Sequence, residues 1–275
     1  MIPAPAPRSR VAAGARLWRL IGRAVVVAAA RTAANRGELV TTVLFYLMVS
    51  TVLSQMWAAA AEASGGAVAG YSAAALVWYI LTTEFAVNAI PIRLIEDIGD
   101  DIGDRRIELE LLRPASVLSI RVAAAYGRVL PRLAAMLPAG LLLGWATAGR
   151  PPHLGALLLA VPAVLLAVLV NVLLQHAFAG LSFWLGESKS GWFLYQKLVF
   201  VLGGMLLPLE VLPARLATVA KALPFAAVAY APGRLAAGHV EPWWLLVQGG
   251  WLVLTGAAAG LVFHHGLARL RGAGA

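Results

Sequence analysis

Cysteine does not occur among the 275 residues, so disulfide bonds and thiolate metal centres are excluded and the redox compartment carries no mark. Charge is scarce as well: Asp, Glu, Lys and Arg make up 13% of the chain, against 61% hydrophobic residues. A soluble globular domain carries about 25% charged residues, so this balance belongs to a chain that lives in lipid. Nothing in the sequence resembles Gly-x-x-x-x-Gly-Lys-Ser or another phosphate-cradling loop, so any ATP and Mg must be bound by another polypeptide. Internal repeats and the alternation of membrane strands over about ten residues are also missing.

What is present is continuous apolar sequence. Runs long enough to cross a hydrocarbon core, which takes about 20 helical residues, lie near 39–61, 70–91, 127–148, 155–184, 192–212 and 243–267. They predict an all-α polytopic membrane protein with six transmembrane helices. Lysine and arginine orient it, because cytoplasmic loops keep an excess of both. With both termini inside, eighteen of the 22 basic residues fall on cytoplasmic segments, and only Arg150, Arg215, Lys221 and Arg234 fall outside. The net charge of +9 is then a record of membrane orientation and implies no nucleic-acid partner. Trp57, Trp145, Trp243 and Trp244 fall near expected outer borders, and Trp184 and Trp192 near inner ones, as aromatic belts require.

Residues 1–36 form a separate cytoplasmic unit ahead of the membrane domain at 37–275. In "RLWRLIGRAVVVAAAR", Arg16, Arg19 and Arg23 share one helical face while Trp18, Ile21 and Val25 share another. This pattern predicts an amphipathic helix lying on the inner leaflet with its arginines toward lipid phosphates. A secretory signal is the rival reading, but "AVVVAAA" is short for its apolar core and Arg31 closes it.

Seven of the 13 carboxylates crowd into residues 92–116, "IRLIEDIGDDIGDRRIELELLRPAS". As a helix, Asp97, Asp100, Asp101, Asp104 and Glu108 make one acidic face. A magnesium-dependent membrane phosphotransferase would order such aspartates as Asp-Gly, and here no aspartate is followed directly by glycine. Arg105 and Arg106 supply counter-ions within the chain, so a salt-bridged cytoplasmic helix is the better reading than a metal or catalytic site. Gly99 and Gly103, one turn apart, each cost about 1 kcal/mol relative to alanine in a helix, which predicts that another surface comes close. Ile98 and Ile102 form an apolar ridge beside them. Pro114, after Arg113, ends the segment.

Polar residues inside the apolar runs are the remaining candidates, because burying them in lipid is expensive. Glu84 with Asn88 on the second run, and Asn171 with Gln175 on the fourth, each make a rung. Two readings stand: a polar patch on a translocation path, favoured for Glu84, and interhelical hydrogen bonding, favoured for Asn171 and Gln175. His176, His264 and His265 lack ligand partners at useful spacing. "GLLLG" at 140–144 and "GAAAG" at 256–260 permit close helix approach. Arg121, Arg128 and Arg132 share a face, so the third helix is expected to begin in the cytoplasm, with a basic stripe that either latches onto the acidic segment or reaches for lipid phosphate.

Read together, "LLRPAS" after a charged cytoplasmic helix, Phe183 and Trp184 ending the fourth run, Pro208 and Pro213, the Leu223-Pro224-Phe225 turn, and Pro232 with Gly238 resemble the permease subunits of type 2 exporters of the ATP-binding-cassette class. The resemblance implies a complex with two ATPase subunits, which hold ATP and Mg, and a second permease, identical or related. It places the chain in the bacterial inner membrane and assigns it no covalent chemistry. By the same resemblance, residues 92–116 are the coupling segment, with Asp97, Ile98, Gly99, Asp100, Asp101, Ile102, Gly103, Asp104, Arg105, Arg106, Arg113 and Pro114 facing the ATPase. Residues 208–242 are a re-entrant or helical outer segment, with Pro208, Glu210, Pro213, Pro224 and Phe225 at an outer gate. The alternative is a secondary transporter that couples to ions through Glu84 and Glu210.

Overall fold

A computed structural model describes residues 10–112 and 115–272; Arg113 and Pro114, and the proline-rich first nine residues, lie outside the described part. In chain order the elements are α1 (Arg10–Ala34), α2 (Arg36–Ala63), a ribbon of β1 (Ala67–Val68) against β2 (Tyr71–Ser72), α3 (Ala73–Asn88), α4 (Leu94–Gly103), a 3-10 turn (Arg106–Leu112), α5 (Val117–Ala148), α6 (Leu154–Gly180), α7 (Ser182–Leu185), α8 (Lys189–Leu202), a second 3-10 turn (Leu209–Val211), α9 (Ala214–Ala222), α10 (Pro224–Val228), α11 (Tyr230–Ala236) and α12 (Trp243–Gly272). The protein is all-α and polytopic apart from that four-residue antiparallel ribbon.

Among the described residues, four helical segments are long and apolar enough to cross a membrane: α2, α5, α6 running on into α7, and α12. The two remaining apolar runs fold as shorter helices. α3 has 16 residues and α8 has 14, so they rise about 24 and 21 Å, short of a hydrocarbon core of about 30 Å. Hydropathy counts apolar residues whatever their backbone does. The run at 192–212 is cut after Leu202, where Gly204 takes φ +71°, and the run at 70–91 spends its start on the ribbon and its end on the turn at Pro91. α5, by contrast, begins at Val117, ten residues ahead of its apolar run, so Arg121 precedes that run while Arg128 and Arg132 lie within it.

Packing brings these helices together at small residues. A Cβ added at Gly140 or Gly144 of α5 would overlap the rings of Tyr46 on α2 and Trp78 on α3, so this glycine pair is a contact site. The pair at Gly256 and Gly260 is not: Gly260 has nothing within 4 Å. α1 packs along α5, where Gly127 meets the backbone of Val25. Trp244 departs from the aromatic-belt expectation, being buried, with its indole N–H donated to Glu241. Trp145 and Trp243 stay exposed.

Candidate functional site

α4 forms because Leu94, Ile95, Ile98 and Ile102 repeat at helical spacing and Glu96 and Asp97 occupy its first turn, where the helix dipole favours negative charge. Its apolar stripe enters the core shared with Phe183, Tyr195 and Val199. Ile98 and Ile102 are each 3% exposed, so the ridge expected to face a partner is turned into the chain itself. Gly99 is corrected in the same way. The surface that comes close to it belongs to this chain: a Cβ there would overlap Ser188 Cβ and crowd Ser182 Oγ. Ser188 Oγ, in turn, donates to Asp100 Oδ1 at 3.1 Å. Gly103 has open space around it.

The basic stripe closes on this helix. Arg121 donates from Nε and Nη2 to the two Glu110 oxygens at 2.9 Å each, and from Nη2 to Asp101 Oδ2 at 2.9 Å. This fork is the latch onto the acidic segment. Arg106 bridges Asp101 at 3.1 Å and Asp104 at 2.9 Å, Arg93 lies 3.7 Å from Asp97, and Arg105 lies 3.7 Å from Glu108. Asp97, Asp101 and Asp104 are thus salt-bridged by arginine, while Asp100 accepts from Ser188. Asp97 and Asp104 stay largely exposed, flanked by Leu109 at 70% and Ile92 at 66% exposure. Arg132 plays a third role that the stripe alone did not reveal. It is buried, donates to Thr42 Oγ1 at 2.9 Å and pairs with Glu38 at 3.4 Å, tying α5 to α2.

Above α4 lies a cavity of about 160 Å³ lined by Glu84 and Asn88 of α3, Gln175 of α6 and Trp192, Tyr195 and Gln196 of α8. Glu84 is 1% exposed. Its Oε2 accepts from Asn88 Nδ2 at 2.7 Å, while Oε1 has no partner among the described residues. The second rung separates from the first in function. Asn171 Oδ1 accepts from the Tyr195 hydroxyl and from Gln175 Nε2 at 3.2 Å, and Gln175 also donates to Tyr195 at 3.3 Å. That knot fastens α6 to α8, which is the interhelical reading. Tyr195 and Gln196 were missed from sequence, although two polar residues inside "FLYQKLVF" were a signal that could have found them.

The expected outer residues sit in a separate layer. Pro208, Pro213 and Pro224 each stand at the start of a short helix, before the second 3-10 turn, before α9 and at the first position of α10, where a fixed φ and a missing N–H cost nothing. Phe225 is buried against Phe178. Glu210 is saturated: Lys221 Nζ lies at 2.9 Å, Arg234 Nη1 at 3.0 Å, and the Tyr230 hydroxyl donates to the same oxygen. Burial works to raise its pKa, but the hydrogen bonds from Tyr230 and Lys221 prevail and hold it below the usual carboxylate value. Arg234 also forks onto Glu241 at 2.8 and 2.7 Å, which holds that carboxyl low as well. A carboxylate so fully paired is poorly placed for ion coupling, which leaves Glu84 alone in that role. Gln248 of α12 spans the layer below, donating to Ala163 O at 2.9 Å and Ala227 O at 2.8 Å.

Residues 39–274 match the family model described as ABC-2 family transporter protein. The chain belongs to that family. The match covers every long helix except α1, and it makes this chain a multi-pass ABC transporter permease, a transport subunit rather than a catalytic one. Comparison with curated protein sequences gives no match. In the permease, the Glu84 cavity and α4 are joined by α8, which starts just after Ser188, beside Gly99, and lines the cavity from Trp192 onward.

Proposed function

We propose that the permease is the translocation subunit of an ATP-driven exporter in the bacterial cytoplasmic membrane. Both termini lie inside, a second permease, identical or related, completes the pathway, and two separate ATPase subunits bind ATP and Mg. The observation that carries this reading is the construction of α4. One face is anchored by four buried aliphatic side chains, and the other presents Asp97, Gly103 and Asp104 outward between Ile92 and Leu109. Such a helix has its fold requirements met from within and leaves a charged, apolar-flanked surface for a partner. The contact set on this reading is Asp97, Asp100, Gly103, Asp104, Arg105 and Arg106. Ile98, Gly99, Ile102 and Asp101 position that surface from behind. Glu84 and Asn88 lie on the pathway, and the residues from Pro208 to Phe225 form its outer cover.

The test is co-purification with a co-expressed ATPase subunit. Gly103→Trp fills open space, so the permease should insert and run as a monodisperse species while ATPase recovery falls about tenfold, a loss of about 1.4 kcal/mol in association. Undiminished recovery with Gly103→Trp, and with Asp97→Lys plus Asp104→Lys, would remove α4 from the coupling surface.

A further inference from the structure

The geometry points to the Glu84 cavity as a binding site for the head group of a lipophilic monovalent ammonium cation. That this cation is the exported substrate rests on the exporter reading above; that the cavity binds it does not.

Charge is the first argument. Glu84 is buried, one carboxylate oxygen is occupied by Asn88, and the other has no hydrogen-bond partner. No ion pair reaches it among the described residues, although eleven others form elsewhere in the chain. A buried carboxylate without a counter-ion is costly, and a cation brought into the cavity is what would offset that cost.

The walls narrow the class of cation. Phe45, Trp192, Tyr195 and Phe200 surround the space, and aromatic faces attract ammonium groups within about 6 Å of the ring. Calcium or magnesium would keep one positive charge uncompensated, because Glu84 is the one carboxylate among the residues that line the space, whereas a monovalent cation is matched by it. The Tyr195 hydroxyl is already donated to Asn171. An anion is disfavoured by Glu84 itself.

Size and surroundings set the rest. About 160 Å³ is close to the roughly 150 Å³ of a cavity that accepts benzene, so the space admits a trimethylammonium or benzylammonium head and no large dication. Phe45 of α2 lines the cavity and is also exposed, at 47%. An apolar tail leaving past it remains among hydrocarbon.

The experiment is equilibrium binding of radiolabelled benzyltrimethylammonium to the full-length permease in phosphatidylglycerol–phosphatidylethanolamine nanodiscs. Neopentylbenzene, its neutral isostere, serves as competitor. The expected result is saturable binding that the neutral isostere does not displace, weakened about tenfold by Glu84→Gln and about threefold by Trp192→Leu, in keeping with a charge pair and one cation–π contact. Equal binding by wild type and Glu84→Gln, or equal competition by the neutral compound, overturns the site. Should Glu84→Gln fail to insert, Trp192→Leu and Gln196→Leu decide by the same measure: weakened binding supports the site and unchanged binding overturns it. ATP-dependent efflux of the same cation from vesicles holding the permease with its ATPase is read separately. Binding without efflux keeps the site and overturns the substrate assignment.

Discussion

The carboxylates of the outer layer and those of α4 carry the same charge and are finished in opposite ways. Glu210 and Glu241 are met by Lys221, Arg234, Tyr230 and Trp244, with Arg234 bridging the two. On α4, Asp101 is closed off by Arg121 and Arg106, while the side chains of Asp97 and Asp104 keep 51% and 65% of their surface in solvent. The outer layer uses charge to hold short helices that bury little by themselves. The inner helix is held by aliphatic packing, so its outward charges are spare. Partly buried opposite charges that carry the packing mark a clamp, and exposed ion pairs on a helix anchored by other means, such as Arg93–Asp97 and Arg106–Asp104, mark a surface.

The sharpest way to break this comparison is to fill the two glycines of α4 one at a time. Gly99→Leu would drive a side chain into Ser188 and Ser182 and should cost about 3 kcal/mol, at the upper end for overpacking. Thermal challenge in detergent followed by size exclusion should show loss of the monodisperse species. Gly103→Leu, with open space around it, should behave as wild type in that assay. Identical behaviour of the two variants would mean that α4 is not anchored along its Gly99 face.

A smaller effect separates the two sets of charges. Arg234→Ala leaves Glu241 with Trp244 alone and takes one of two cations from Glu210, both carboxylates being partly buried, and should cost about 2 kcal/mol once solvent screening is allowed for. Asp104→Asn removes an exposed partner of Arg106 and should stay within about 0.5 kcal/mol. Comparable losses from both would erase the distinction between clamp and surface. Smallest is the pH response. Glu210 and Glu241 have folded pKa values below the ordinary 4.5, so their contribution is fully present above that value and is lost as pH falls through the depressed folded values. Melting temperature should therefore drop more steeply below about pH 4.5 in the wild type than in Arg234→Ala; parallel curves would assign acid sensitivity to another part of the chain.

Much of this architecture was legible in the residues. The apolar runs located every long helix after α1, the basic spacing marked Arg121, Arg128 and Arg132 on α5, and Gly140 with Gly144 marked a real contact. Other features turned on partners distant in sequence. That Ile98 and Ile102 face inward follows from the position of α6, α7 and α8 beneath them, and Gly99 is matched to a serine 89 residues away. The knot of Asn171 with Tyr195 joins two helices whose relative rotation no periodicity specifies. Gly256 and Gly260 show the converse, a small-residue pattern without close approach: Gly256 is at ordinary contact distance from Leu173, and Gly260 has nothing within 4 Å among the described residues. The early end of α8 reflects backbone conformation at Gly204, which hydropathy does not register.

α8 has a mechanical consequence. Ser188, just before its first residue, bears on Gly99 and Asp100, Tyr195 forms part of the cavity wall, and Gly204 beyond its far end accepts the hydroxyl proton of Tyr79. From Ser188 to Tyr195 an α-helix advances about 10 Å, at a fixed rise per residue. α8 is therefore a strut, footed on α4 and pinned at its head to α3. A push on α4 along that axis has no slack to vanish into, and the wall beside Glu84 is the part of the load path that must give.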